Sequence, residues 1–206
     1  MASNKIKISK TGGYLALFVI IAISLLMVVQ QLTVTAINDN KRQATQQAVT
    51  SLVANISYDN NVLTDTVLIP ASQQLGTSAA TTAYRVRHQG VVKAIIITVI
   101  THDGYNGKIE LLLGLLPDGT ITGVRIVQHR ETPGLGDRIE PRKSNWLSQF
   151  LNRSLTNPLP SAWAVKKDGG DFDQLTGATV TPRAIVTAIK KALHYVHQHQ
   201  DRLYRS

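Results

Sequence analysis

Lys108-Ile-Glu-Leu-Leu-Leu-Gly-Leu-Leu-Pro-Asp-Gly-Thr-Ile-Thr-Gly-Val-Arg-Ile-Val-Gln128 holds the turn around which the fold is organised. Pro117 presets φ and Gly119 accepts a positive φ, so Pro117-Asp118-Gly119 closes a hairpin. The strands it joins are predicted at 108–116 and 120–128. A second pair precedes them. Thr81 to Arg87 and Val91 to Ile100 read as strands around His88-Gln89-Gly90, and Ile95-Ile96-Ile97 has the β-branched density of a buried strand. Further on the period changes. Pro182 to Gln200 places Ile185, Ile189, Ala192, Leu193 and Val196 on one helix face. Arg138 to Leu151 reads as helical around Trp146, Leu147 and Phe150, and Trp163-Ala164-Val165 as a short strand. Ser57 to Ser78 is rich in Asn, Asp, Thr and Gln and reads as irregular connection. The expected architecture is α+β, an antiparallel sheet with flanking helices. Its roughly 165 residues are enough for one core.

Upstream the chain changes character. No charged residue occurs from Thr11 to Asn38, and Tyr14 to Val29 is almost wholly apolar. As a helix, Gly12 to Thr33 spans roughly 33 Å, enough for a ~30 Å hydrocarbon core. A cleaved signal peptide is the rival reading, with Val34-Thr35-Ala36 as its cleavage tripeptide. The apolar stretch exceeds the ~7–15 residues of a signal core, which favours an uncleaved anchor. Lys5, Lys7 and Lys10, with no acid before the helix, favour a cytoplasmic N-terminus. With this single span, the rest of the chain is expected outside the cytoplasm. The organisation read from sequence is a cytoplasmic N-terminus at 1–11, an anchor at 12–33, a helix and connecting segment at 34–80, and the main domain at 81–206.

Composition narrows the chemistry. The 206 residues are 43% hydrophobic and only 17% charged, and none is cysteine. Disulfides, thiol nucleophiles, Cys-ligated zinc and iron–sulfur clusters are excluded. A redox role would need a cysteine-free cofactor. The net charge is +9. With aromatics at 5% and no basic run interleaved with them, nucleic acid is not the expected partner. A solvated basic surface facing anionic membrane lipid is.

The densest segment is Asp171-Phe-Asp-Gln-Leu-Thr-Gly-Ala-Thr-Val-Thr-Pro182. Thr181 before Pro182 reads as a helix start, with threonine as N-cap. A helix N-terminus presents free N–H groups and the positive end of the dipole, which stabilise an anion. Gly177 allows close backbone approach and Ala178 keeps it open. Thr176, Thr179 and Thr181 surround that site. A phosphate there could be held non-covalently or as an ester of one threonine. An ordinary threonine-rich cap loop has the same residues.

Asp173-Gln-Leu-Thr-Gly-Ala-Thr179 resembles the flavinylation motif of the covalent FMN-binding domain family, an Asp followed by Ser/Thr-Gly-Ala-Ser/Thr. Gln174 departs from the usual residue in its slot, which the motif tolerates. The resemblance implies FMN joined through its phosphate to Thr179. A separate magnesium-dependent flavin transferase would install it from FAD, reading Asp173, Thr176, Gly177 and Ala178. His129-Arg-Glu-Thr-Pro-Gly-Leu-Gly-Asp137 resembles a second loop of that family, and its Glu131, Thr132, Pro133, Gly134, Leu135 and Gly136 are expected beside the flavin. Thr181 is expected among the cofactor-binding residues. Together with Lys166 to Asp173 and the single anchor, nearly the whole chain resembles the G-subunit family of Rnf (or Rsx) membrane electron-transport complexes. The C-subunit family of the sodium-pumping NADH:quinone oxidoreductases shares the domain.

That resemblance implies an electron-relay subunit of an ion-translocating ferredoxin/NAD oxidoreductase complex, with little catalysis of its own. The implied partners are the other membrane subunits, including another flavinylated one. The implied place is the bacterial inner membrane, with the main domain periplasmic. The alternative is an anchored extracytoplasmic module that binds a phosphorylated ligand, or scaffolds partners, without redox work. Other constellations read as structural. Gly134-Leu-Gly136 lacks Rossmann spacing. Glu131 with Asp137 could serve as acid and base, though a salt link or cap is the plainer reading. Asp168, Asp171 and Asp173 do not follow EF-hand spacing, and no metal is assigned to them. His194, His197 and His199 read as a solvated helix end, and Trp146 and Trp163 as core.

Overall fold

The computed structural model describes residues 2–54 and 56–205, with side chains described except at 2–11, 35, 38 and 41. It divides into two compact units, 1–43 and 44–206. Helix α1 (Ala2–Val53) supplies the first unit and enters the second. Within it, Gly12–Val34 is a 23-residue apolar stretch that the protein leaves unburied. Leu15, Phe18, Ile20, Leu26 and Leu32 are all more than half exposed. That much apolar surface is unfavourable in water and favourable in a bilayer. The expected anchor falls on this stretch. Lys5, Lys7 and Lys10 lie outside the residues whose side chains are described.

In the second unit, five strands form one antiparallel sheet in chain order: β1 (Thr66–Ile69), β2 (Thr81–His88), β3 (Val91–Gly104), β4 (Gly107–Leu115) and β5 (Ile121–Gln128). Both expected hairpins are present. They are joined through β3 and β4 into a continuous meander, and β1 adds a further edge strand beside β2 inside the stretch read as irregular. Four residues, Thr66-Val-Leu-Ile69, are too few to show a period among polar neighbours. Pairing with β2 makes them a strand, and Arg202 Nη2 donates to Leu68 O at 3.0 Å.

Alternation along the strands feeds two cores. Ile95, Ile97, Val99, Leu111, Leu113 and Leu115 pack with α2 (Val180–Gln198). Ala94, Ile96 and Leu112 meet Ala48, Val49, Leu52 and Val53 from the end of α1. Residues of both parities are therefore buried in β3, which explains its unbroken apolar run. Gly123 makes room for α1, since a Cβ there would lie 2.8 Å from Leu52 Cδ2.

The helix expected at 138–151 is instead two 3-10 turns, Gly136–Ile139 and Trp146–Phe150. Pro141 disfavours helical backbone at the residue before it, and Glu140 is extended with ψ 135°. Trp163-Ala164-Val165 is not a strand; Val165 forms a single bridge with Phe172. Both tryptophans are core residues. The Trp146 ring lies 5.3 Å edge-on from Phe150, Phe150 stacks on Phe172 at 4.9 Å, and Trp163 is 4.7 Å from Phe172. This aromatic cluster supports the segment that leads to 173–179. The short helix α3 (Gln200–Tyr204) ends the described chain.

Candidate functional site

Helix α2 begins at Val180, two residues earlier than the sequence suggests, and Thr179 occupies its cap position. Thr181 is therefore not the N-cap. It sits inside the first turn, fully buried, and its hydroxyl donates to Glu131 Oε2. The physical reason is the buried carboxylate, which must collect donors, whereas a helix-end N–H can be served by solvent. The first intrahelical bond runs from Arg183 N to Thr179 O at 3.2 Å. The N–H groups ahead of it have no acceptor within the helix, and the positive end of the dipole lies at Thr179. Gly177 turns the chain into this position with φ +82°, a conformation glycine adopts without strain. The Thr179 side chain makes no capping bond.

The 131–136 loop is fastened to this helix start. Glu131 is 4% exposed; its Oε1 accepts from Asn106 N at 3.1 Å while Oε2 accepts from Thr181. Asn106 Nδ2 donates to Thr132 Oγ1 at 3.1 Å, so the β3–β4 turn holds the loop at two points. Gly136 is where loop and helix touch. A Cβ there would lie 2.7 Å from Glu131 Oε2 and 3.0 Å from Thr181 Oγ1. Glu131 and Asp137 do not work as a pair: Asp137 Oδ2 accepts from Lys143 Nζ at 2.7 Å.

Between these parts lies a cleft of about 260 Å³. Gly177, Ala178, Thr179, Val180 and Thr181 form one wall. Glu131, Thr132, Leu135 and Gly136 form the other, with Tyr105 from the β3–β4 turn at the rim. The two motif segments, about fifty residues apart in sequence, thus share one cavity. Pro133, Gly134 and Thr176 are exposed and do not line it. Gly134 is glycine for its turn, with φ +79° and open space around it.

Asp173 lies outside the cleft. Its carboxylate faces solvent beside Lys166 Nζ at 2.6 Å, while its backbone is clamped by Trp146 Nε1 and by Gln149 Oε1, each at 2.7 Å. Asp168 is held in a two-pronged ion pair by Arg183, at 2.6 and 2.7 Å. His199 stacks on Tyr195 at 4.2 Å.

Sequence reading missed Tyr105, Asn106 and Val180. The Asn106-Gly107 dipeptide is a hairpin-turn signal. That this turn borders the cleft is a tertiary fact.

A charged network braces the outer end of the loop. Lys143 hydrogen-bonds Asp137 and holds its carboxyl below the usual range, in spite of burial. Burial alone would raise Glu140, but hydrogen bonds from Lys143 and His129 outweigh it and lower it. Carboxyls lowered on folding add stability above their unfolded pKa values of about 4, and the gain is lost as pH falls through the lower folded values. Lys143→Met is expected to melt below wild type at neutral pH. The two melting temperatures should converge as pH drops below about 4. A gap that stayed constant into acid would show that the network contributes nothing through charge.

Known proteins resemble both the site and the chain. The FMN-binding domain family matches residues 104–194, which include both cleft walls. The G subunit of the ion-translocating oxidoreductase complex of Pseudomonas aeruginosa is 46% identical over 202 residues, covering 98% of this chain and 94% of that protein. The corresponding protein of Shewanella baltica is 43% identical, covering 95% and 92%, and that of Vibrio cholerae is 41% identical, covering 96% and 94%. The crystal structure of the C subunit of Na(+)-translocating NADH-quinone reductase from Parabacteroides distasonis superimposes with a TM-score of 0.52. It covers 79% of this chain and 93% of that one at 17% identity, a likeness of fold.

Proposed function

Because the chain belongs to the G-subunit family of ion-translocating oxidoreductase complexes, we propose that it relays electrons through FMN esterified by its phosphate to Thr179. It is a membrane-anchored redox subunit with an FMN-binding domain and works among other subunits. The observation that carries the finer reading is the position of Thr179. It combines an uncapped hydroxyl, the positive end of α2 and a cleft bordered by the second motif loop.

The residues fit FMN. Free N–H groups at the start of α2 would face the phosphate, and Gly177 keeps the backbone close to it. Leu135, Val180 and Tyr105 offer apolar surface for a ring system. The Glu131–Thr181 link closes the inner end and sets the distance between the walls. Bound FMN supplies the electron-carrying chemistry, and the protein supplies place, access and field. An ester tether suits a carrier outside the cytoplasm, since the cofactor cannot diffuse away.

Attachment requires a flavin transferase that uses FAD and magnesium. Thr179 would supply the accepting hydroxyl: losing its proton, its oxygen would replace the phosphoanhydride oxygen on the FMN-side phosphorus of FAD, with AMP as the leaving group. Asp173, exposed and six positions before the target in sequence, belongs to the surface this transferase reads. Asp173→Ala is expected to keep its melting temperature within a few degrees, because the clamped groups of Asp173 are backbone. Its flavin incorporation with the transferase should fall several-fold. Normal incorporation would remove Asp173 from the recognised surface. The reading as a whole is tested by intact mass of full-length protein made with the transferase, with fluorescence of the band after denaturing electrophoresis. Unmodified mass and a dark band would favour the non-redox binding module.

We place the second unit on the periplasmic side, supported by Lys5, Lys7 and Lys10 before the apolar span. The partners would be the membrane subunits of an Rnf-type complex, another flavinylated one among them. The chain has no cysteine, so an introduced one reports alone. Leu159→Cys, at a side chain 68% exposed, should react with an impermeant maleimide in intact spheroplasts. Labelling only after lysis would invert the orientation.

A further inference from the structure

Tyr105 stands out among the residues that the motifs leave unexplained. Its side chain is 70% exposed, an unusual setting for a large aromatic, and has no hydrogen-bond or ring partner among the described residues. Yet its backbone is held firmly. Gly104 and Gly107 face each other across the turn, and Asn106 is bonded to both Glu131 and Thr132. Gly104 is pressed against the loop, where a Cβ would lie 2.8 Å from Glu131 Oε1. The turn is thus built to hold an exposed ring in a set place. Leu135 and Val180, 45% and 41% exposed, share the same rim. Three apolar side chains from three chain segments ring a cleft whose inner end is polar. That pattern marks a seat for a flat, partly apolar ligand.

We propose that Tyr105 is a positioning residue that stacks on the isoalloxazine ring, with Leu135 and Val180 gripping its edges. The proposal rests on the attachment of FMN at Thr179, close enough for the tethered ring to reach the rim. Offset stacking of two aromatic systems is favourable beyond the area it buries. Among the described residues, only the β3–β4 turn places an aromatic side chain on this cleft. The proposal gives that turn a role in orienting the ring and limiting its contact with water.

The experiment uses full-length protein flavinylated by its transferase, in the wild-type, Tyr105→Phe and Tyr105→Leu forms. Intact mass is read first. All three should carry one FMN, because Thr179 and 173–178 are untouched, and melting temperatures should agree because the side chain is exposed. Tyrosine stacked on a flavin quenches its fluorescence by electron donation, and phenylalanine does not. Tyr105→Leu should raise the fluorescence yield several-fold and lose most of the visible circular dichroism induced in the flavin. Tyr105→Phe should raise the yield equally but keep the dichroism, since a ring remains. Yield and dichroism equal to wild type in a flavin-loaded Tyr105→Leu protein would overturn the proposal. So would a Tyr105 variant that takes up no flavin, since Tyr105 would then serve attachment. If wild type itself carries no FMN on Thr179, the failure lies in the attachment reading instead.

Discussion

Thr179→Ala is expected to abolish covalent flavin: unmodified intact mass and no fluorescence of the denatured band, with the transferase present. Neither neighbouring threonine can replace it. Thr181 is fully buried and its hydroxyl is committed to Glu131. Thr176 is exposed but lies beyond the Gly177 turn, outside the cleft. The fold should be nearly indifferent, because the Thr179 side chain makes no capping bond. Thr179→Ser keeps a hydroxyl there and should keep the flavin. Retention of flavin in Thr179→Ala, with loss in Thr181→Ala or Thr176→Ala, would identify a different hydroxyl and undo the geometric argument.

Gly136→Val is expected to have the next largest effect. Its Cβ would lie 2.7 Å from Glu131 Oε2 and 3.0 Å from Thr181 Oγ1, so the link between loop and helix must open. Overpacking of this kind costs about 1–3 kcal/mol. At this size that is a fall in melting temperature of roughly 3–10 °C. Flavin incorporation should drop to less than about a tenth of wild type, since the start of α2 loses its support. Gly134→Val is the control. It meets no atom within 4 Å and carries only the strain of φ +79°. It should melt lower by a comparable amount, since a β-branched residue at positive φ costs about 1–2 kcal/mol, yet be flavinylated normally. Equal incorporation in Gly136→Val and wild type would mean that the loop does not shape the site.

These two glycines show where sequence reading stops. Both belong to Pro133-Gly-Leu-Gly136, and sequence offers one expectation for both, a place beside the flavin. The structure separates them: Gly134 makes the turn, and Gly136 makes the contact with α2. Thr181 is a similar case. Beside Pro182 it reads as an N-cap, because local rules consider only the neighbouring backbone. Glu131, fifty positions away, takes the hydroxyl instead. The helix expected at 138–151 failed for a local reason, Pro141, which was legible. Strand β1 failed for a non-local one.

The apolar segment, the two hairpins, the amphipathic α2 and the Asp173–Thr179 motif were set by residues within a few positions of one another. Hydrophobic period, turn chemistry and chain reach act over that range, and they are written in linear order. The cleft was not. It exists because the meander brings Tyr105, Glu131 and Thr179 together, and because a buried carboxylate takes donors from two distant segments at once. Such contacts form only when burial makes an unpaired charge costly, and burial belongs to the folded chain as a whole. Sequence alone therefore singled out the two candidate segments, and tertiary structure decided which of their residues, and which residues outside them, border one cleft.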